Sequence, residues 1–386
     1  MSGIVLSASV RQNLLSLQST AALLATTQND LATGNKVNSA LDNPTNYFTA
    51  EALNNRAGDI NNLLDGIGNG VQVLQAANTG LTSLQSLVAS AQSIANQVLQ
   101  TASGYTSNST VTSTAALGGT AANLVDGTTI KSGGTLSIAG TNGIPAFSIT
   151  FGTSESLAQL NTALAASNLT ASLNSSNQLV ITTTNDAASS TIGAVSLTGG
   201  GTATFGIAVA PVADPSSQAI RANLVTQYNN VIAQITTTAQ DSSFNGINLL
   251  NGDDLKLTFD ETGKSTLNIS GVTYNATGLG LNTLTVGTDF LDNNSANAVL
   301  AQLGTVTDTL RSEASALGSN LSIVQIRQDF NKNLINVLQT GASNLTVADS
   351  DEEAANSQAL STRQSIAVSA LALANQSQQS VLQLLR

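Results

Sequence analysis

The chain has 386 residues, 41% of them hydrophobic, 3% aromatic and only 9% charged, with a net charge of −11. It contains no Cys, His or Trp, which excludes disulfides, thiolate and imidazole metal sites and His-based acid–base catalysis. The acidic balance disfavours nucleic acid and anionic membranes as partners. A surface of Asn, Gln, Ser and Thr instead lets like copies approach without long-range repulsion.

Met1–Val10 has no basic segment and no cleavage pattern, so no cleaved signal peptide is expected, and no apolar run is long enough to predict a membrane span. Val10, Leu14, Leu17, Ala21, Leu24, Gln28 and Leu31 repeat at alternating spacings of four and three. This is a heptad seam on a helix, and it needs a partner helix from the other terminus or from another chain. Gly34 and the Asn35–Pro44 stretch break the pattern. Asn43-Pro44 is a stop, because a residue before Pro avoids the helical region, and Pro44 suits the first turn of a following helix.

That helix carries Ile60, Leu64, Ile67, Val71, Leu74, Asn78 and Leu81, then Gln85, Val88, Gln92, Ala95 and Leu99. A second stripe of Leu84, Leu87, Ala91, Ile94 and Val98 widens the face. Running to about residue 100, it would be a rod of roughly 80 Å. Gly66, Gly68, Gly70 and Gly80 each cost about 1 kcal/mol of helix propensity. They read either as sites of close helix packing or as local fraying.

From Ser103 to Val212 only Asp126, Lys131, Glu155 and Asp186 are charged. Short β-like runs at 135–139, 147–151, 170–173, 179–183 and 194–197 surround one helical segment, 156–166, and predict an α+β insertion. Asn142-Gly143 marks a hairpin turn. Helix resumes over 214–240, with Pro215 near its start and Ile220, Leu224, Tyr228, Val231 and Ile235 on its apolar face. Two alternating runs, 255–259 and 265–272, flank Glu261-Thr262-Gly263 as a β-hairpin.

A second rod helix carries Val299, Leu303, Val306, Leu310, Ala314, Leu317, Leu321, Val324, Gln328, Asn331, Ile335, Leu338, Ala342 and Leu345. The acidic run 349–353 reads equally as the negative start of a last helix or as a solvated linker. The last helix carries Ile366, Ala370 and Leu373, with Leu371, Ala374, Val381 and Leu385 alongside.

The predicted fold is mainly α with an α+β insertion. A long coiled-coil-like rod of N- and C-terminal helices is joined by a β-hairpin and a β-rich outer domain. The expected divisions are an N-terminal helix and joint (1–43), a rod helix (44–102), the insertion (103–212), a second core helix with the hairpin (213–294), a C-terminal rod helix (295–346) and a terminal helix (347–386). First and last helices are expected to pair. Val10, Leu14, Leu17, Leu24, Leu31, Ile366, Leu371, Leu373, Val381 and Leu385 are candidates for packing between copies. Ile60, Leu64, Ile67, Val71, Leu74, Leu317, Leu321, Val324, Ile335 and Leu338 are candidates for the rod core.

Several segments resemble bacterial flagellin. At the N-terminus these are Leu31-Ala32-Thr33-Gly34, Val37-Asn38-Ser39-Ala40, Asp42-Asn43, Arg56 and Gly70-Val71. At the C-terminus they are Arg327, Asn344-Leu345, Arg363, Ala374-Asn375-Gln376 and Val381-Leu382-Gln383-Leu384-Leu385. Phe244-Asn245-Gly246, Leu249-Leu250 and Gly252 resemble the segment before the family hairpin, and residues 135–200 look like a repeat of flagellins and hook-associated proteins. The resemblance implies a filament subunit: terminal helices lining an inner tube, rod helices forming a shell with Arg56 and Arg327 in its core, and the insertion facing solvent. It implies export by the flagellar type III apparatus with a chaperone, capping and junction proteins as partners, and a location in the extracellular filament.

Three departures stand out. The insertion precedes Asp214, whereas the best-known flagellins carry it after the hairpin. The end helix is about one turn shorter than in enterobacterial relatives, which looks like the alphaproteobacterial branch. The patch that the vertebrate innate flagellin receptor reads falls here on Ser90, Gln92 and Ser93, so weak or no recognition is expected. Gly34, Asn38, Asp42, Pro44 and Asp349 are expected to form joints between tube and shell.

No enzyme activity, metal or cofactor is expected. The acidic cluster of Asp349, Asp351, Glu352 and Glu353 lacks a Lys or Tyr companion, and Asp253, Asp254 and Asp260 resemble no calcium loop. A hook–filament junction protein and a secreted Ser/Thr-rich adhesin are the alternatives.

Overall fold

The computed structural model describes residues 8–384. Helices α1 (Ala8–Thr33), α2 (Pro44–Gln100), α4 (Pro215–Asp241), α5 (Asn293–Thr346) and α6 (Ser350–Leu384) dominate the chain. Between α2 and α4 lie strands β1 (Tyr105–Ser107), β2 (Thr110–Thr112), β3 (Thr135–Ile138), β4 (Phe147–Thr150), helix α3 (Leu157–Ala165), β5 (Leu169–Leu173), β6 (Leu179–Thr183), β7 (Val195–Thr198) and β8 (Val212–Ala213). Strands β9 (Leu255–Thr258) and β10 (Thr266–Ile269) follow α4. The fold class agrees with the sequence reading: terminal helices flank a central region of small antiparallel sheets. The chain forms two compact units, one of residues 1–69, 257–267 and 323–386, the other of residues 70–256 and 268–322.

In the second unit the insertion has its own core. Strands β2-β6-β5 and β4-β3-β7 form two three-stranded antiparallel sheets. Leu124, Leu136, Phe151, Leu160, Leu164, Leu179 and Ile181 are essentially inaccessible among them. Alternation inside each strand produces this core, as in β6, where Leu179, Ile181 and Thr183 face inward. Helix α3 starts at a capping box: the Ser156 hydroxyl accepts from the Gln159 amide and the Gln159 side chain accepts from the Ser156 amide. Gly143 turns the β3–β4 connection with φ +79, so the Asn-Gly signal is realised. Strands β1, β2 and β8 escape the sequence pattern because they have only two or three residues, mostly Ser, Thr and Ala.

Helix α4 begins as read, with Asp214 capping and Pro215 at its first position. Leu224, Tyr228 and Ile235 of the expected stripe are buried and Val231 is half-buried, but its first member is displaced. Ile220 is 53% exposed while Arg221 is 1% exposed. The guanidinium of Arg221 donates to the carbonyls of Ala102 (2.8 Å), Phe290 (2.7 Å), Val98 (3.2 Å) and Thr101 (3.0 Å), and to Asn293 Oδ1 (3.2 Å). It thus ties the end of α2 to the start of α5. Burial pushes its pKa below the ordinary arginine value, and the nearby Asp292 carboxylate pushes back. Asp292 accepts from Ser189 Oγ at 2.5 Å, which holds the insertion to the same junction. Phe290 adopts φ +60, a conformation costly for a bulky residue. Its carbonyl is held by Arg221, its amide donates to Ser295 Oγ, and its ring meets Tyr228 edge-on at 6.0 Å. Burial pushes the Tyr228 hydroxyl up to about 12.

Helix α2 runs unbroken through its glycines, so none of them marks fraying, and they differ in how closely they are packed. A Cβ on Gly80 would lie 2.6 Å from Ser242 Cβ and 2.7 Å from Leu250 Cδ1, so close packing demands glycine there. A Cβ on Gly66 would meet nothing within 4 Å.

Candidate assembly site

The candidate site is built in the first unit. Helix α2 enters it on Ala57, Ile60 and Ile67, with Leu64 half-buried, and α5 on Val324, Ile335 and Leu338. Ala57, Ile60, Ile335 and Leu338 pack into one cluster with Leu53, Leu64 and Leu334 at its rim. Of the remaining rod candidates, Leu321 is half-buried, while Val71, Leu74 and Leu317 are buried in the other unit. Asn331, a polar member of the α5 seam, is 2% exposed and donates to the Phe259 carbonyl at 2.9 Å. The hairpin is also held by its flanks. Arg56 pairs with Glu261 at 2.8 Å, and Arg327 lies 5.7 Å above the Phe259 ring. Both arginines are exposed, so they brace the hairpin rather than fill the core.

Helices α1 and α6 pack against each other, first with last. The seam they share overlaps the expected one at Val10, Leu17, Ala21 and Leu24 but not at Leu14, Gln28 and Leu31. On α1 the covered positions are Val10, Asn13, Leu17, Thr20, Ala21, Leu24, Thr27 and Asp30. On α6 they are Glu353, Ser357, Leu360, Gln364, Ala367, Leu371 and Ala374, spaced four and three. Much of this seam is small or polar. Several large apolar residues lie outside it: Leu14 (37% exposed), Leu15 (64%), Leu23 (54%) and Leu31 (42%) on α1, and Ile366 (63%), Val368 (52%) and Leu373 (72%) on α6. An ordinary amphipathic helix turns its apolar face inward; this pair leaves a second set of apolar residues bare.

Of the residues expected to pack between copies, Leu14, Leu31, Ile366 and Leu373 are therefore bare, Leu17, Leu24 and Leu371 are half-covered, and Val10 is buried within the chain. Leu385 and the side chain of Val381 lie outside the described residues. Leu15, Leu23 and Val368 were not legible from a single seam. The doublets Leu14-Leu15 and Leu23-Leu24 are the signal that the helix carries two seams.

The joints meet each other. Gly34 ends α1 at φ +73, a conformation glycine adopts freely, with its amide bonded to Asp30 O at 2.8 Å. Lys36 and Val37 donate to the Thr346 carbonyl at 2.8 and 3.3 Å, and Ala348 donates to Gly34 O at 3.0 Å. Asn35 and Val347 thus bridge as a minimal antiparallel pair. Asp42 closes the following loop by accepting from the Asn38 and Ser39 amides (3.0 and 2.8 Å) and the Ser39 hydroxyl (3.1 Å). Asn38 in turn donates to Asp30 Oδ1 at 3.3 Å. Asn43 caps α2 through the Asn46 amide at 3.1 Å, with Pro44 first in the helix. Asp349 caps α6 through the Asp351 and Glu352 amides, and Asp351–Glu353 fill its first turn. The acidic run therefore starts the helix.

The amides of Ser39 and Asn38 hold the Asp42 carboxyl below its ordinary value. A depressed folded pKa contributes order that is complete above the unfolded value of about 3.9 and is lost as pH falls through the folded one. The amide resonances of Asn38 and Ser39 should accordingly shift towards coil values only below that pH. A midpoint at or above it would show that Asp42 does not close the loop.

Three further carboxylates are committed to backbone amides. Asp253 accepts from the Asn248 amide, Asp254 from Gly271 and Asp260 from Ser265. Among the described residues no group of three or more His, Cys, Asp or Glu is placed to hold a metal, and no helix is long and apolar enough to cross a membrane.

A pair of end helices that leaves large apolar residues bare defines a class of subunit completed by other helices. A family model for the bacterial flagellin N-terminal helical region matches residues 5–126, and one for the C-terminal helical region matches residues 294–385. Together they cover more than half of the chain, which belongs to the bacterial flagellin family, a family of structural proteins. It is 30% identical to flagellin FljM of Caulobacter vibrioides over 164 residues, 42% of this chain and 59% of that protein. It is 34% identical to flagellin A of Rhizobium meliloti over 90 residues, 23% of each chain. It is 28% identical to a flagellin of Brucella melitensis over 177 residues, 43% of this chain and 62% of that one. The chain thus spans about three fifths of the length of the Caulobacter relatives it matches. These relatives agree with the alphaproteobacterial resemblance.

Proposed function

We propose that this chain is the structural subunit of a bacterial flagellar filament and serves swimming motility, with no enzymatic role. The observation that carries the reading is the set of large apolar residues that the α1–α6 pair leaves bare: Leu14, Leu15, Leu23, Leu31, Ile366, Val368 and Leu373. Burying one such side chain contributes about 1.5–3 kcal/mol, which only neighbouring copies can supply here. The joint of Gly34–Asp42 with Thr346–Asp349 links this pair to the rod helices, and the insertion extends from α2 and α4. In this reading the chain leaves the cell through the type III export apparatus, with a chaperone covering its ends, and assembles beneath a cap onto hook-associated junction proteins. Ser90 and Ser93 are exposed, and Gln92 donates to Thr307 Oγ1 at 3.2 Å. This uncharged surface supports weak or absent recognition by the vertebrate innate receptor.

Purified chain added to short filament seeds should extend them into long filaments visible by electron microscopy. Seeds that remain short would overturn the reading, because a junction protein or an adhesin would not propagate.

A further inference from the structure

The apolar core of the insertion is closed on itself. Every member of the cluster around Leu136, Leu160 and Ile181 comes from residues 111–208. Two segments carry the insertion, Ser103-Gly104 leaving α2 and Ala213-Asp214 entering α4. They are paired through β1 and β8, strands of three and two residues whose register shifts between Tyr105 and Ser107. A two-stranded ribbon of that size is marginal by itself, so the body beyond it can swing. Between the insertion and the start of α5 lies an open groove of about 500 Å³, lined by Thr141, Ile144, Pro145, Asn168 and Asn294 among others. Packing does not close that side of the joint.

Among the described residues, one hydrogen bond crosses the joint outside the two linkers: Ser189 Oγ donates to Asp292 Oδ2 at 2.5 Å. Asp292 is 9% exposed and is fixed from the rod side. Its other oxygen accepts from the Ser295 amide at 3.1 Å, at the start of α5. Two residues earlier, Arg221 pins the Phe290 carbonyl with its backbone at φ +60. The carboxylate is therefore in place before the insertion meets it. We infer that the Ser189–Asp292 bond is a latch: it fixes the attitude of the insertion on the rod, and opening it frees the insertion to swing about β1 and β8 without unfolding either part. A hydrogen bond to a charged group favours the docked position about ten- to hundredfold. Water can satisfy both halves once they part, so the latch is reversible. It acts within one copy and does not depend on assembly.

The chain lacks cysteine, so Ser175→Cys in the insertion and Thr305→Cys on α5, both exposed positions, place one spin label on each side of the joint in the full chain. Pulsed electron paramagnetic resonance is expected to give one narrow distance distribution while Ser189 is present. Adding Ser189→Ala should raise the undocked share about ten- to hundredfold and broaden the distribution. Circular dichroism melts of the two chains should coincide, because the insertion keeps its own core. An unchanged narrow distribution in the Ser189→Ala chain would overturn the inference, as would a broad one with Ser189 present. Broadening accompanied by an earlier melt would overturn it too, since Ser189 would then be part of the fold of the insertion rather than its tether.

Discussion

Replacing Arg221 with Ala is expected to destabilise the unit containing residues 70–256 by about 3–5 kcal/mol, the scale of removing one partner from a buried charged network. The change strands the carbonyls of Val98, Thr101, Ala102 and Phe290, each an acceptor whose desolvation is then uncompensated. It also releases the Phe290 backbone from a conformation that a bulky side chain does not hold unaided. Arg221→Lys should recover little, because a single ammonium has three donors and no fork. Ile220→Ala, one residue away and mostly exposed, should change stability by about 0.5 kcal/mol or less. Thermal melts of the helical signal compare the three. Equal midpoints for Arg221→Ala and Ile220→Ala would show that the network contributes nothing.

The second large effect concerns assembly. Leu23→Asp combined with Leu373→Asp should leave the monomer folded, since both side chains are bare in one copy, and should abolish filament extension. Each copy would lose about 1.5–3 kcal/mol of burial per leucine and would have to desolvate an unpaired carboxylate in addition. The loss recurs at every subunit added. Normal extension by the double variant would place the packing surface elsewhere. Leu17→Asp is a less clean probe, because Leu17 is half-covered by the α1–α6 contact itself.

These outcomes turn on which parts of the structure could be read from residue order. The α5 seam was legible along most of its length, from Val299 through Leu310 to Leu338, because aliphatic residues hold its positions and one register satisfies them. The hairpin turns were legible from Asn-Gly and Thr-Gly pairs. The face of α4 was legible at Leu224, Tyr228 and Ile235 but not near its start, where a search for apolar residues counts Ile220 in place of the buried Arg221. The terminal pair was legible only in part, at Val10, Leu17, Ala21 and Leu24, for the opposite reason. With two leucine rows on one helix, periodicity cannot say which is used inside the chain and which is left for neighbours. The two-residue and three-residue strands of the insertion carry no periodicity at all. Nor does a composition shift mark the boundary between compact units near residues 69 and 322.

The bonds between Gly34–Val37 and Thr346–Ala348 join segments more than three hundred residues apart in the sequence. Closing a flexible loop costs entropy that rises with the logarithm of its length, and a few backbone hydrogen bonds cannot offset closure of an unstructured chain of that size. The intervening polypeptide is therefore expected to condense before the two ends join, so that first and last segments become a single body late in folding.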